Sequence, residues 1–287
     1  MDNSITVASM NCRGLADKKK RRDLMSYLKK LKHDIFFLQD THFTEKLEPY
    51  IRAEWGYECK FASYTSNSRG VAILFNNSFE FKIIKSDIGP NGNYLFVHIN
   101  MKDKDILLVN IYGPNGDSPE FYKDLKTKIK DMNIENVVWG GDSNLVLQPA
   151  KDYDNYLHVN NPNAKNIVDE IIDELNLCDI WRELNPDLRR YTWRRTNPLQ
   201  QSRLDFFLIS DTLVPIVSDA DIVFGYRSDH SMITVTLKFS KDIKRNTFWK
   251  HNASLLKDKT YVDEINLLIE EVICEYAASP YNCNILG

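Results

Sequence analysis

Residues 35–42 read Ile35-Phe36-Phe37-Leu38-Gln39-Asp40-Thr41-His42, an apolar run of strand length that closes abruptly on polar side chains. The same kind of run recurs at 5–10, 71–75, 94–100, 106–111, 137–139, 204–209 and 232–239. In the last of these Ile233, Val235, Leu237 and Phe239 alternate with Thr234, Thr236 and Lys238, the period of a strand. Between the runs, Leu24, Leu28 and Leu31 repeat at helical spacing. So do Phe121, Leu125 and Ile129, and later Ile167, Ile171, Ile172 and Leu175. Strands alternating with helices predict a layered α/β (α+β) protein. Two turns, Gly89-Pro90-Asn91-Gly92 and Gly113-Pro114-Asn115-Gly116, predict antiparallel pairing in part of the sheet. The expected architecture is a two-sheet sandwich with helices outside.

The chain has 287 residues, 43% hydrophobic and 27% charged, which suits one large single-core domain with an appendage or two small ones. No apolar run approaches the roughly 18 residues that span a bilayer, and the N-terminus lacks the apolar core of a secretion signal. A soluble, intracellular protein without a membrane partner is therefore expected. Cys12, Cys59, Cys178, Cys274 and Cys283 are scattered and odd in number, a pattern of reduced thiols rather than zinc ligands. Around Lys241–Asn246 the composition turns polar and the strand pattern stops. Beyond it Val262, Ile265, Leu268, Ile269, Val272, Ile273 and Tyr276 predict an amphipathic helix whose stripe packs on something. The absence of an obvious terminal element suggests a fragment of a longer protein.

The net charge of −3 means that any contact with nucleic acid must come from local clusters. One run is Lys18–Arg22, expected to open a helix as its solvated face, with a nuclear-import signal as the alternative. A second group is Arg182, Arg189, Arg190, Arg194, Arg195 and Arg203. His33, His98, His158 and His251 have no partner pattern and read as structural or exposed.

Polar residues gather where the strands end: Asn11 and Arg13, Asp40 and His42, Tyr112, Asp142 and Asn144, Asp205, and Ser228-Asp229-His230. A lone Asp after a strand is usually a turn former or a cap. Six such groups at strand ends instead suggest one cleft at the edge of a sheet. Carboxylates and an amide can hold a hard divalent ion, a further carboxylate can activate water, and a His steadied by an Asp can stabilise phosphoryl charge. That set suits phosphodiester hydrolysis. No Gly-rich phosphate loop with Lys and no G-x-S-x-G is present, which argues against a nucleotide triphosphatase and a serine hydrolase.

Asn11, Leu38-Gln39-Asp40-Thr41-His42, Tyr112, Gly141-Asp142-x-Asn144, Leu204-Asp205 and Ser228-Asp229-His230, in this order, resemble the endonuclease/exonuclease/phosphatase superfamily. Ser202-Arg203-Leu204-Asp205 and Phe248-Trp249-Lys250-x-Asn252-x-x-Leu255-Leu256 resemble the nuclease of LINE-type retrotransposons within it. The resemblance implies a DNase I-like four-layer sandwich, a nuclease domain over 1–240, and a linker and helix over 241–287 leading toward an absent reverse transcriptase. It implies that Asp40 and Asn11 hold Mg²⁺, with Mn²⁺ as an alternative, and that Asp142 deprotonates water beside Asn144. His230, held by Asp205, would contact the scissile phosphate with Tyr112, and Asp229 would support the metal. Arg13, Asn115, Thr192, Ser202, Arg203 and Ser228 would contact DNA. Arg194 and Arg195 would do so from a hairpin tipped by Asn197-Pro198.

The implied activity is nicking of one strand of duplex DNA in the nucleus, by a protein translated in the cytoplasm. The nick would leave a 3′-hydroxyl that primes reverse transcription, so the element's RNA is an indirect partner. Alternatives are a host abasic-site repair endonuclease, a phosphatase of the same superfamily, or a catalytically impaired DNA-binding module. Two positions depart from the family pattern. Asp40 stands where Glu is usual and reaches ~1.5 Å less far, about one C–C bond. Ser143 replaces a usually aromatic residue and is expected to pack rather than react.

Overall fold

A computed structural model describes residues 4–155, 161–239 and 259–278. In chain order its strands are β1 (Ser4–Asn11), β2 (Ile35–Gln39), β3 (Cys59–Ala62), β4 (Val71–Phe75), β5 (Lys82–Ile88), β6 (Tyr94–Met101), β7 (Lys104–Tyr112), β8 (Asn136–Asp142), β9 (Tyr153–Asp154), β10 (Leu177–Asp179), β11 (Trp193–Thr196), β12 (Leu199–Ser202), β13 (Asp205–Ser210), β14 (Val217–Val223) and β15 (Met232–Lys238). The helices are α1 (Lys18–Leu31), α2 (Glu48–Trp55), α3 (Pro119–Met132), α4 (Pro149–Asp152), α5 (Pro162–Glu174), α6 (Ile180–Leu184) and α7 (Lys259–Ala278). The chain divides into two units, Met1–Asn246 with the sheets and Thr247–Gly287 with α7.

Two six-stranded sheets, ordered β14-β15-β1-β2-β4-β3 and β10-β13-β8-β7-β6-β5, make the expected sandwich. Each has one parallel pair, β1 with β2 and β7 with β8, among antiparallel neighbours. The period-two rule assigns the faces. In β2, Ile35 and Phe37 join the core between the sheets, while Phe36 and Leu38 join the core under α1 and α2 with Leu24, Leu28 and Trp55. In β7, Ile106 and Leu108 face inward, whereas Leu107 and Val109 meet Leu125 and Ile129 of α3 and Val168 of α5. Central strands buried on both faces have no polar side to alternate with, which is why they read as continuous apolar runs.

All eight expected strands are present with small shifts at their ends. β3, β5, β9, β10 and β14 are additional to them: β3, β9 and β10 are four residues or fewer, β5 is largely exposed, and Val217–Val223 of β14 is interrupted by Ser218, Asp219 and Asp221. The first Gly-Pro-Asn-Gly turn does join an antiparallel pair, β5 and β6. The second does not: after Gly113 the chain enters α3, and β7 pairs in parallel with β8. The expected 191–202 hairpin is present as β11 and β12, with Thr196 opposite Leu199, and β12 also pairs with β9.

The Lys18–Arg22 expectation is corrected in part. Arg21 is buried, donating through Nε and Nη2 to both Glu54 oxygens and through Nη1 to the Leu15 and Ala16 carbonyls. Lys20 Nζ holds the Cys12 and Arg13 carbonyls at 2.8 and 2.9 Å, so this run ties α1 to the end of β1. Cys12, Cys59 and Cys178 are buried and not joined in disulfides. The α7 helix forms, with Leu268 and Ile269 of its stripe 56% and 50% exposed. The 241–246 and 248–256 segments, His158, His251 and Cys283 lie outside the described residues. No helix among the described residues is long and apolar enough to cross a membrane.

Candidate active site

The sheet register brings the distant polar groups together. On the second sheet Asp142 of β8 lies opposite Asp205 of β13 on one side and Tyr112 of β7 on the other. On the first sheet Asn11 of β1 lies beside Gln39 of β2, and the next residue is Asp40. The loop before β15 adds Ser228, Asp229 and His230. Asn11, Arg13, Asp40, Tyr112, Asn115, Asp142, Asn144, Asp229 and His230 all line one cleft of about 340 Å³.

Local backbone geometry sets these side chains. Arg13, Asp40, His42 and Asn144 are all left-handed, with φ of 49°, 49°, 56° and 49°. Non-glycine residues hold this conformation at a cost of about 1–2 kcal/mol each; Arg13, Asp40 and Asn144 line the cleft, and His42 contacts Asp40 beside it. Gly141 (φ 137°) is required, because a Cβ there would lie 2.1 Å from the Ile111 carbonyl oxygen. Its absence lets β7 and β8 approach closely just before Asp142.

Three polar links cross between the sheets at this end. Asn11 Nδ2 donates to Asp142 Oδ2 at 2.8 Å. His230 Nδ1 meets Asp205 Oδ2 at 2.9 Å, leaving Nε2 at 3.8 Å from Asp142 Oδ2. Beneath them, Gln39 Nε2 donates to Ser9 Oγ and Asn110 Oδ1, and Asn110 Nδ2 donates to the Leu38 and Ala72 carbonyls. The bridging role of Gln39 and Asn110 is absent from the sequence reading. Their signal was a polar residue at the inward-facing position of a buried strand, where an unpaired amide is costly.

Asp142, Asp205 and His230 present three potential ligand atoms within 4.8 Å of one another. They work better as a proton relay than as a metal cage, since Asp205 is already committed to Nδ1 of the imidazole. Burial raises the Asp142 carboxyl well above the ordinary range, and the charge of Asp205 raises it further. Burial disfavours a charged His230, but Asp205 and Asp142 overcome this and raise its pKa. Burial likewise raises the Tyr112 phenol, reinforced by Asp40 and Asp142, so it stays a hydrogen-bond donor.

Oxygen donors for a cation lie toward the rim. Asp40 Oδ1 accepts from Arg69 N at 3.2 Å and contacts His42 Nε2 at 3.1 Å. Asn11 Oδ1 accepts from Arg13 N at 2.9 Å, and Asp229 pairs with Arg13 at 3.2 Å. Three carboxylates line the cleft and Asp205 is buried behind it, against Arg13 and His230 as the cations. A phosphodiester entering so anionic a cleft needs added positive charge. Hard oxygen donors of this kind fit a divalent ion that keeps several waters.

Other expected contacts separate clearly. Ser228 Oγ donates to the Asn11 carbonyl and accepts from His230 N, which fixes the 228–230 loop to β1. Asn115, Arg194 and Arg195 are exposed. Three expected DNA contacts are corrected, because Thr192, Ser202 and Arg203 are each 0% exposed. Thr192 Oγ1 accepts from Leu204 N and Asp205 N and so positions Asp205 from below. Arg203 binds both oxygens of Asp152 and both of Asp179, and Arg182 is buried with it against Asp152. Arg190 pairs with Asp221 on the surface. The cationic surface of this segment is therefore carried chiefly by the hairpin. Ser143 is buried, as expected of a packing position.

The profile of the endonuclease/exonuclease/phosphatase family matches residues 8–230. The uncharacterized 149 kDa protein of transposon TX1 from Xenopus laevis is 25% identical over 268 residues, 91% of this chain, and the chain spans 20% of that protein. Among solved structures, the AP endonuclease LMAP from Leishmania major superposes with a TM-score of 0.71 at 17% identity, covering 83% of this chain and 89% of that one. An AP endonuclease from Archaeoglobus fulgidus gives 0.67 at 20% identity, covering 82% and 100%. A variant of the 3′ phosphatase NExo from Neisseria, bound to product DNA hairpin, gives 0.66 at 18% identity over the same shares. These structural likenesses show a shared fold.

Proposed function

The chain belongs to the endonuclease/exonuclease/phosphatase family, and from that premise we propose that it is a divalent-metal-dependent DNA endonuclease that nicks one strand of duplex DNA. The observation that carries the reading is the buried Asp142–His230–Asp205 relay at the floor of an anionic cleft flanked by exposed arginines. Asp142, with its raised pKa, takes the proton of the attacking water, and Asn144 positions that water or the phosphate. The water oxygen bonds to phosphorus as the P–O3′ bond breaks, leaving a 5′-phosphate and a 3′-oxyanion that takes a proton from solvent water to become the 3′-hydroxyl. His230, held by Asp205, donates from Nε2 to a phosphoryl oxygen, and the Tyr112 hydroxyl adds a second hydrogen bond. Asp40 and Asn11, with support from Asp229, would hold the ion, for which Mg²⁺ is our choice and Mn²⁺ the alternative. When bound, that ion would supply positive charge to offset the charge that develops on the leaving oxygen.

The relationship to a transposon protein supports a LINE-type element as the source. On this reading the 3′-hydroxyl primes reverse transcription of element RNA by a polymerase domain of the same polyprotein, at the chromosome in the nucleus. Residues 1–240 are the nuclease and 241–287 lead toward that polymerase. The test is supercoiled plasmid with Mg²⁺ or EDTA, followed by end mapping and a parallel abasic duplex. Nicked circles bearing 3′-hydroxyl ends are expected only with the metal. Failure to nick with any divalent ion overturns the reading, and cleavage of the abasic duplex far faster than intact DNA moves it to repair.

A further inference from the structure

Phe224 is the most exposed large apolar side chain among the described residues, at 87%. It does not sit on a loose loop. Val223 before it pairs with Met232, and Gly225 after it packs so closely that a Cβ would lie 1.9 Å from the His230 carbonyl oxygen. Tyr226 then stacks on Tyr27 at 4.8 Å, Arg227 pairs with Asp23, and Ser228 is bonded to β1. A single exposed apolar ring is ordinary on a protein surface; what sets Phe224 apart is the pinned backbone that fixes where the ring stands, beside the cleft.

The surroundings of the ring specify a partner. Phe224 lines a hollow of about 580 Å³ with Trp193, Arg194 and Arg195, and this hollow shares Arg13, Asp229 and His230 with the catalytic cleft. Trp193 is bridged directly to His230 in the backbone, and Arg194 N donates to the Asp229 carbonyl. Aromatic rings interleaved with guanidinium groups are the chemistry that stacks on a base while neutralising the adjoining phosphate. On the opposite side the cleft continues past Asp40, Tyr112 and Asn115 into a hollow lined by Arg69, Asn67, Asn91 and a half-buried Phe121, with Arg69 lying over the Tyr64 ring. The two arms differ in degree: Phe224 stands 87% exposed, whereas the rings lining the other arm are half-buried.

Resting on the endonuclease reading, we infer that Phe224 is a substrate-positioning residue. It stacks on an unstacked nucleobase flanking the scissile phosphate, on one side of the nick only. A base drawn from its stack onto this ring carries its phosphate toward His230. DNA steps that unstack readily are thereby preferred, without hydrogen bonds to base edges.

The test is a cycle of two changes, Phe224→Ala and replacement of single nucleotides by a base-less tetrahydrofuran spacer. The spacer is walked across the preferred nick in synthetic duplexes, and kcat/KM is measured for each. Because Phe224 is exposed, the variant should fold, and a thermal melt checks that it does. Where the base is present, Phe224→Ala should lower kcat/KM about tenfold, the scale of one base–aromatic stack. Where the spacer removes that base, the variant and parent should cut equally, at one or two positions on one side. Phe224→Trp should restore the parent value. An equal loss with and without the base, or no loss at all, overturns the inference while leaving the nuclease intact. A parent chain that cuts no duplex overturns the endonuclease reading instead.

Discussion

Arg203 and Asp205 are two residues apart, yet they belong to buried ionic clusters of opposite character. In the first, the guanidinium groups of Arg203 and Arg182 face the carboxylates of Asp152 and Asp179, so the formal charges cancel. Asp152 also accepts from Gln148 N, and both its oxygens are used. In the second, Asp142 and Asp205 share one imidazole, and Asp205 Oδ1 is buried without a hydrogen-bond partner among the described residues. The first cluster also keeps one orphan, Arg182 Nε, buried without a hydrogen-bond partner among the described residues, so what separates the two is the balance of charge: a charge-balanced network fixes a shape. A network short of positive charge and of donors is costly to the fold, and makes sense as a surface prepared for what will bind there. Charge and burial alone do not tell structure from chemistry, but the balance of partners does.

The largest effect should come from breaking the unbalanced cluster. His230→Ala and Asp142→Asn should each slow plasmid nicking by roughly 10³-fold or more, since on the proposed mechanism the first removes a donor to the phosphoryl oxygen and the second the base for the attacking water. Asp142→Asn should melt no lower than the parent, because it removes a buried carboxylate that Asp205 disfavours. A melt lowered by many degrees in that variant would erase the distinction between the clusters.

Arg203→Met addresses the balanced cluster. It leaves Asp152 and Asp179 short of a partner and should cost about 3–5 kcal/mol in denaturant unfolding. Unchanged stability would mean that the cluster does not hold the fold.

The ion that completes the unbalanced side gives a smaller effect. Asp40→Ala should raise the Mg²⁺ concentration for half-maximal nicking by about tenfold or more. Asp40→Glu, which restores the reach of the usual residue, should leave that concentration equal or lower. The same metal dependence in all three proteins would remove Asp40 from the site.

The smallest effect concerns pH, and the two clusters should respond with opposite sign. Burial opposes ionisation of Asp152, but Arg203 first and Arg182 after it hold its pKa below the ordinary 3.8. Its stabilisation is thus full above that value and is lost as pH falls through the depressed folded pKa. The Asp142 pKa is raised, so its penalty is absent below 3.8 and grows as pH rises toward the folded value. Denaturant curves from pH 3 to 8 should show the Asp152→Asn deficit shrinking on acidification and any Asp142→Asn gain growing toward neutrality, at most about 1.4 kcal/mol per pH unit. Parallel slopes would contradict the assignment.

The sequence reveals much of this architecture because the strands that carry the site are buried on both faces. Phe36-Phe37-Leu38 and Val137-Val138-Trp139 are unbroken, and the polar residues after them are conspicuous. The hairpin is legible because Asn197-Pro198 interrupts two extended segments. What stays hidden is the pairing of distant charges. Arg203 looks like a surface arginine until Asp152 and Asp179, 51 and 24 residues away, are brought beside it. Thr192 and Ser202 mislead in the same way, since a small hydroxyl residue reads alike on a surface or beneath one. Exposed β5 and charge-interrupted β14 escape because their apolar residues are too few to set a period.

The amide bridge of Gln39 and Asn110 has a mechanical consequence. Asn11, Asp40 and His230 come from one sheet and its connections, Tyr112, Asp142 and Asp205 from the other, so the chemistry straddles a seam. Apolar side chains across such a seam resist separation but tolerate sliding, because dispersion has little directional preference. The directional bonds from Gln39 to Asn110, and from Asn110 back to the Leu38 and Ala72 carbonyls, act as a shear pin. Trimming that pin with Asn110→Ala would let the two halves of the site drift out of alignment while both sheets persist, so catalysis should fail on heating well before the fold melts.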